Sequence, residues 1–209
     1  MFDAIISYWE APSGRGSEHL VQVMDAALSL VGRPLTQREW LTMMLHDIGV
    51  GRKGWSRDDH PLAALDAIDN DEGLADIRPL VDDEMRDAIR LHMRDQYSGL
   101  GFVSPLHQLL IEADEGRPVW GQKRIEKPVK YWLDGRNKAI PVDAPLEKVV
   151  SHVTNVILRK IDDFNSGRSP FTQRYRDAFA DDIKSATDWA RSVRSDDVVE
   201  CIERLRNVT

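Results

Sequence analysis

Apolar residues recur at helical spacing along most of the chain, and the breaks fall at Gly, Pro and Ser/Thr clusters. Residues 3–9 suit a short helix. The loop Ala11-Pro12-Ser13-Gly14-Arg15-Gly16 leads to Ser17, a candidate N-cap for a helix over about 18–31. Leu20, Val23, Met24, Ala27, Leu28 and Val31 form its expected apolar face, and His19 lies in its first turn. Gly32-Arg33-Pro34 breaks the pattern. Thr36 and Glu39 then read as a capping box for a helix over about 37–47, stopped by Gly49 and Gly51. Pro61 suits the first turn of a helix to about residue 69. Asp82 opens a helix over about 83–94, whose apolar face carries Met85, Ile89 and His92. Ser104-Pro105 opens another that ends at Asp114 on the face of Leu106, Leu109 and Leu110.

The pattern changes at Gly116. Residues 117–144 contain strand-forming residues and an Asp134-Gly135 pair, which predicts an irregular section with a small β-hairpin. Helical spacing resumes over about 146–164, 170–192 (after Ser169-Pro170) and 196–206. The expected architecture is mainly α: a helical core over residues 1–117, and a C-terminal extension over 118–209 holding the hairpin and further helices.

Composition narrows the function classes. The 209 residues carry a formal charge of −7, so an extended basic nucleic-acid surface is not expected. Cys201 is the only cysteine, which leaves neither a disulfide framework nor a thiolate metal site. It reads as a small apolar residue of the last helix. The first residues lack a basic stretch before an apolar core, and no run approaches the roughly 18 apolar residues of a membrane span. A cytoplasmic location without membrane attachment is the expectation.

The chemistry lies in ionisable residues on apolar faces. Met43-Met44-Leu45-His46-Asp47-Ile48-Gly49 puts an imidazole and a carboxylate side by side at the end of an apolar helix. Such groups need partners when buried. His19, His60, His92 and Asp114 sit near helix ends or on apolar faces of other segments. Four imidazoles and two carboxylates suit one or two first-row divalent cations, with Asp47 the natural bridge; iron, manganese, cobalt, nickel and zinc all remain open. Two close metals would lower the pKa of a shared water and clamp a phosphoryl oxygen. No phosphate-cradling Gly-x-x-x-x-Gly-Lys loop, Gly-x-Ser-x-Gly elbow or His-Glu-x-x-His helix competes with this reading.

The order His19…His46-Asp47…His60…His92…Asp114, centred on Leu45-His46-Asp47-Ile48-Gly49, resembles the HD-domain superfamily of metal-dependent phosphohydrolases over about residues 17–117. The additional His60 and His92 resemble its two-metal branches. Asp87-Ala88-Ile89-Arg90-Leu91-His92 and Leu109-Leu110-Ile111-Glu112-Ala113-Asp114 are similar to the bacterial diadenosine tetraphosphate hydrolases. The chain lacks the Gly-Tyr-Pro signature of the cyclic-dinucleotide phosphodiesterase branch after His92. Glu115-Gly116-Arg117-Pro118 also departs from the Ile-Glu-Pro-x-Arg usual in the hydrolase branch.

The resemblance implies an HD-type helical core and hydrolysis of a phosphoester or phosphoanhydride bond in a nucleotide-like substrate. It implies His19, His46, Asp47, His60, His92 and Asp114 as ligands, iron or manganese foremost. An anionic substrate needs donors, for which Lys53, Arg57, Arg94 and Arg117 are the candidates. Asp47 and Lys53 would act in catalysis, Lys53 by neutralising charge on the phosphoryl oxygens. Trp55 can stack on a base; His107 and Asp58 are weaker candidates for proton transfer. Expected partners are a nucleotide or other phosphorylated small molecule, with a homodimer as an open alternative. Two other readings stay open: a di-iron oxygenase on the same ligand set, and a non-catalytic domain that senses a nucleotide or binds a partner.

Overall fold

The computed structural model describes residues 2–11, 16–93, 101–118, 120–137, 139–166 and 171–207. The chain forms two compact units, Met1–Arg117 and Pro118–Thr209. The first contains α1 (Phe2–Trp9), α2 (Ser17–Val31), α3 (Gln37–Leu45), α4 (His60–Asn70), α5 (Asp83–Arg90) and α6 (Pro105–Asp114). Short 3-10 turns at Arg57–Asp59, Glu72–Leu74 and Arg78–Leu80 fill the connections.

Local chemistry explains where these helices start. Thr36 Oγ1 accepts from the Glu39 amide, and the Glu39 carboxylate accepts from the Thr36 amide at 2.8 Å. Each group satisfies a donor that the first turn leaves without an intrahelical partner. Asp82 and Ser104 accept from the amides of Met85 and His107 in the same way. The expected cap at Ser17 does not form: Gly16 is the N-cap of α2, and Ser17 is already helical. Gly32 ends α2 in the left-handed region (φ 64°), its amide donating to the Leu28 carbonyl.

Packing fixes the faces. α2 buries Leu20, Val23, Ala26, Ala27 and Leu30, mainly against α6. Leu28, expected inside, is exposed, because the buried stripe is centred on the small residues Ala26 and Ala27. α5 packs on α6, α4 and α3, with Met85, Ala88 and Ile89 inward. α3 ends in an unbroken buried stretch, Leu41 to Leu45. α3 and α5 are shorter than expected, stopping at Leu45 and Arg90.

The second unit contains α7 (Gln122–Leu133), α8 (Leu146–Ser166), α9 (Gln173–Ala178), α10 (Ala180–Ser192) and α11 (Ser195–Arg206). The expected β-hairpin is wrong: no strand occurs among the described residues, and α7 occupies its first arm. Ile125, Val129 and Trp132, spaced i, i+4, i+7, are the residues α7 buries, which is a helical period. Asp134-Gly135 ends that helix instead of turning a hairpin. Gly135 has φ 68°, its amide donates to Trp132 O, and the Arg136 amide donates to Tyr131 O. These two bonds are the helix-terminating pattern in which a glycine follows the C-cap. The expected helix over 170–192 is split at Phe179, and Ser169-Pro170 lie outside the described residues. Cys201 is buried in α11. No described helix is long and apolar enough to cross a membrane.

Candidate metal centre

His46 and Asp47 follow directly on α3, in the turn that leads to Gly49. Both are buried, and so are His60 at the start of α4 and His92 just after α5. His19 comes from the first turn of α2 and Asp114 from the last residue of α6. Three helix ends and two turns thus deliver the six side chains to one place.

The arrangement is two donor sets sharing one carboxylate. Asp47 Oδ2 lies 3.4 Å from His19 Nε2 and 3.5 Å from His46 Nε2. Asp114 Oδ1 completes this set, 3.0 Å from His19 Nε2 and 3.5 Å from His46 Nε2. Asp47 Oδ1 faces the other way, 2.8 Å from His60 Nε2 and 3.5 Å from His92 Nε2. The two last nitrogens are 3.0 Å apart.

Hydrogen bonds on the far side of two rings decide what the near side offers. His46 Nδ1 is 2.7 Å from Met43 O, and His92 Nδ1 is 2.6 Å from Ile89 O. A carbonyl only accepts, so both Nδ1 atoms carry the proton and a neutral ring presents a lone pair at Nε2. His46 Nε2 has no hydrogen-bond partner and faces two carboxylate oxygens. A lone pair aimed at two anions is repelled by them, and a cation held between them would relieve that repulsion. The anchored Nδ1–H is the arrangement metal-binding imidazoles adopt.

The spacing agrees. With bonds of about 2.1 Å, neighbouring donors lie about 3.0 Å apart in an octahedron and about 3.4 Å in a tetrahedron. The His–Asp and His60–His92 separations run from 2.8 to 3.5 Å. Burial penalises the Asp47 anion, but the imidazoles of His46, His19, His60 and His92 gathered around it outweigh that penalty. Its carboxyl therefore lies well below the usual carboxylate range. Asp114 is also held well below that range: burial raises it, and the imidazoles of His19 and His46 beside it prevail. Both side chains are anionic at neutral pH, which favours a bound cation.

The remaining candidates are placed unequally. Lys53 is exposed in the loop after the His-Asp pair. Its neighbour Arg52 is committed to structure, pairing with Asp66 at 2.9 Å and Asp71 at 2.8 Å, while Tyr8 also donates to Asp71. Arg117 pairs with Asp25 at 3.5 Å on the outer side of α2. Arg94 and the side chain of Arg57 lie outside the described residues. Trp55 and Asp58 are exposed.

No family model matches this chain, and no curated protein or solved structure does. The donor set therefore carries the chemistry alone. All donors are imidazole nitrogens or carboxylate oxygens, a set that can hold borderline first-row cations and does not select one among them.

Sequence pattern missed one residue here. Trp9 is buried beside the first donor set, its ring 5.9 Å from that of His19 and 5.5 Å from that of His46. Its Nε1–H donates to Met44 O at 2.9 Å, near the end of α3 and two residues before His46. The signal was the i, i+4 pair of Ile5 and Trp9, the two residues α1 buries most completely. His107, seven residues before Asp114 on nearly the same helix face and a weaker candidate for proton transfer, does not join the cluster. It is buried and bonds backbone at both ring nitrogens.

Proposed function

We propose that the first unit is a dinuclear HD-type metal centre that hydrolyses a phosphoester or phosphoanhydride bond of a nucleotide-like substrate. The observation that carries this reading is the position of Asp47, a buried carboxylate with one oxygen in each of two imidazole sets. His19, His46, Asp114 and Asp47 Oδ2 would hold one cation, and His60, His92 and Asp47 Oδ1 the other.

When bound, such cations lower the pKa of water enough to supply a nucleophile at neutral pH and polarise a phosphoryl oxygen. The protein's own part is orientation and charge. Met43 O and Ile89 O hold the His46 and His92 rings in the tautomer that leaves Nε2 free of hydrogen. Lys53, in the exposed loop after the His-Asp pair, neutralises charge that develops on the phosphoryl oxygens. Arg117 can join it by exchanging its exposed pairing with Asp25, which is worth little in water. Trp55 offers a partly exposed ring on which a base can stack. The phosphoryl substrate class is supported by the order of the six residues, which resembles the HD superfamily, and by the position of Lys53 after the pair.

The test is metal analysis of protein purified without chelators, then phosphate release from mono-, di- and dinucleoside polyphosphates. Metal-dependent release that a chelator abolishes and Mn(II) or Fe(II) restores is the expected result. A metal-loaded protein that releases no phosphate from the panel contradicts the hydrolase reading. Dioxygen uptake with a mixed-valent di-iron signal replaces it with the oxygenase reading.

A further inference from the structure

One buried side chain ties Leu91, at the end of α5, to Val103, just before α6. His107 is fully buried, with Nε2 3.0 Å from Leu91 O and Nδ1 3.1 Å from the Val103 amide. A carbonyl only accepts and an amide N–H only donates, so Nε2 carries the proton and Nδ1 accepts. The neutral ring is thus committed at both nitrogens. Burial, the main cause, holds its pKa below the ordinary imidazole value, in keeping with that tautomer.

The two groups it holds are special. Leu91 is the C-cap of α5, and its carbonyl belongs to the helix-end acceptors that have no intrahelical donor. The next residue is His92. That ring is fixed by its Nδ1–H to Ile89 O, and its backbone is fixed through the adjoining Leu91 carbonyl. Val103 immediately precedes the N-cap of α6. His107 and Asp114 are seven residues apart on α6, so the helix that supplies Asp114 to one donor set also grips the chain beside His92 in the other.

We propose that His107 is a positioning residue for His92, and through it for the Asp47, His60 and His92 donor set but not for the set built on His19, His46 and Asp114. The inference rests on the metal-centre reading given above. A histidine that only fills the core would lower stability without distinguishing the two cation positions.

The full-length chain, stripped with a chelator, is titrated calorimetrically with Mn(II) and compared with His107→Leu, which removes both hydrogen bonds. The expected result is a first equivalent of unchanged affinity and a second weakened about 10- to 100-fold, the usual cost of losing a group that orients a ligand. Two equivalents of wild-type affinity in a folded variant overturn the inference, and so does equal weakening of both. Should His107→Leu fail to fold, hydrogen exchange of the Val103 amide in the wild-type chain decides, because coupling between two sites is reciprocal. Slower exchange on filling the second equivalent supports the clasp, and unchanged exchange overturns it. A wild-type chain that binds no Mn(II) overturns the metal-centre reading and this inference together, whereas normal wild-type binding with an indifferent His107→Leu overturns the inference alone.

Discussion

Gly49 lies directly against the backbone of His60. A methyl group on Gly49 would sit 2.2 Å from His60 O and 2.4 Å from the Ala64 amide nitrogen. Both are backbone atoms of α4 and cannot swing aside. The glycine after His46-Asp47-Ile48 was expected to stop α3, yet its φ is not in the left-handed region. Its function is close approach, which lets the start of α4 bring His60 Nε2 to 2.8 Å from Asp47 Oδ1. Gly49→Ala should destabilise the chain by about 1–3 kcal/mol or more, the range for overpacking. It should also lower metal content, because His60 is pushed from Asp47. Urea denaturation and metal analysis check both, and a wild-type midpoint with full metal would contradict the close approach.

Asp47 and Asp114 differ in how many donor sets they serve. Asp47→Ala removes an oxygen from both sets and should abolish bound metal. Asp114→Ala removes a donor from the first set only, so metal bound by Asp47, His60 and His92 should persist. Elemental analysis after gel filtration separates the two outcomes; full metal content in Asp47→Ala would contradict a shared carboxylate. Chelation should lower the wild-type melting temperature, since a ligand at 100 times its dissociation constant stabilises by about 2.7 kcal/mol. The Asp47→Ala variant should not respond to chelator.

The capping box of α3 gives a pH prediction. Glu39 is lowered from 4.5 to about 2, first by hydrogen bonding to Arg33, against the opposing effect of burial, and then by Thr36. Both Arg33 nitrogens reach its carboxylate at 2.8 Å. A carboxyl with a depressed folded pKa contributes stability above its unfolded value that is lost as pH falls through the folded one. The stability gap between wild type and Glu39→Gln should therefore be constant above pH 4.5 and shrink as pH falls toward about 2. Arg33 is half exposed, so water screens the Arg33–Glu39 part of the gap and keeps it small. Thermal melts across that range check it, and a gap that widens on acidification would refute the assignment.

What the sequence made legible was local. Thr36 with Glu39, Asp82 with Met85, and Ser104 with Pro105 mark helix starts by chemistry within one turn. Those starts fix the phase of each helix, and phase is what pointed His46, His92 and Asp114 inward. The failures needed information from further away. Asp134-Gly135 suits a hairpin turn and a helix end equally well, and the choice was made by Ile125, Val129 and Trp132 packing as one face. Leu28 had a helical phase that fitted either side, and the small residues beside it decided which side closed. For His107 the i, i+7 relation to Asp114 gave the right face of α6. The ring stops at Leu91 O, on a neighbouring element that no spacing within α6 reveals.

Lys53 and Arg52 are adjacent in the loop after the His-Asp pair, and substitution should separate their contributions. Arg52 bridges Asp66 and Asp71, and the Tyr8 hydroxyl donates to the same Asp71. Arg52→Ala should therefore lower the melting temperature, because it leaves two carboxylates facing each other. Lys53 is exposed, so Lys53→Ala should leave both stability and metal content unchanged. If Lys53 meets the phosphoryl group, its loss should cut phosphate release substantially. Removing one preorganised donor costs about 100- to 1,000-fold at an enclosed site, and less where water reaches the charge. Lys53→Arg should recover part of that rate. A Lys53→Ala protein with wild-type turnover on the preferred substrate would remove Lys53 from the site and leave Arg117 as the cation to test next.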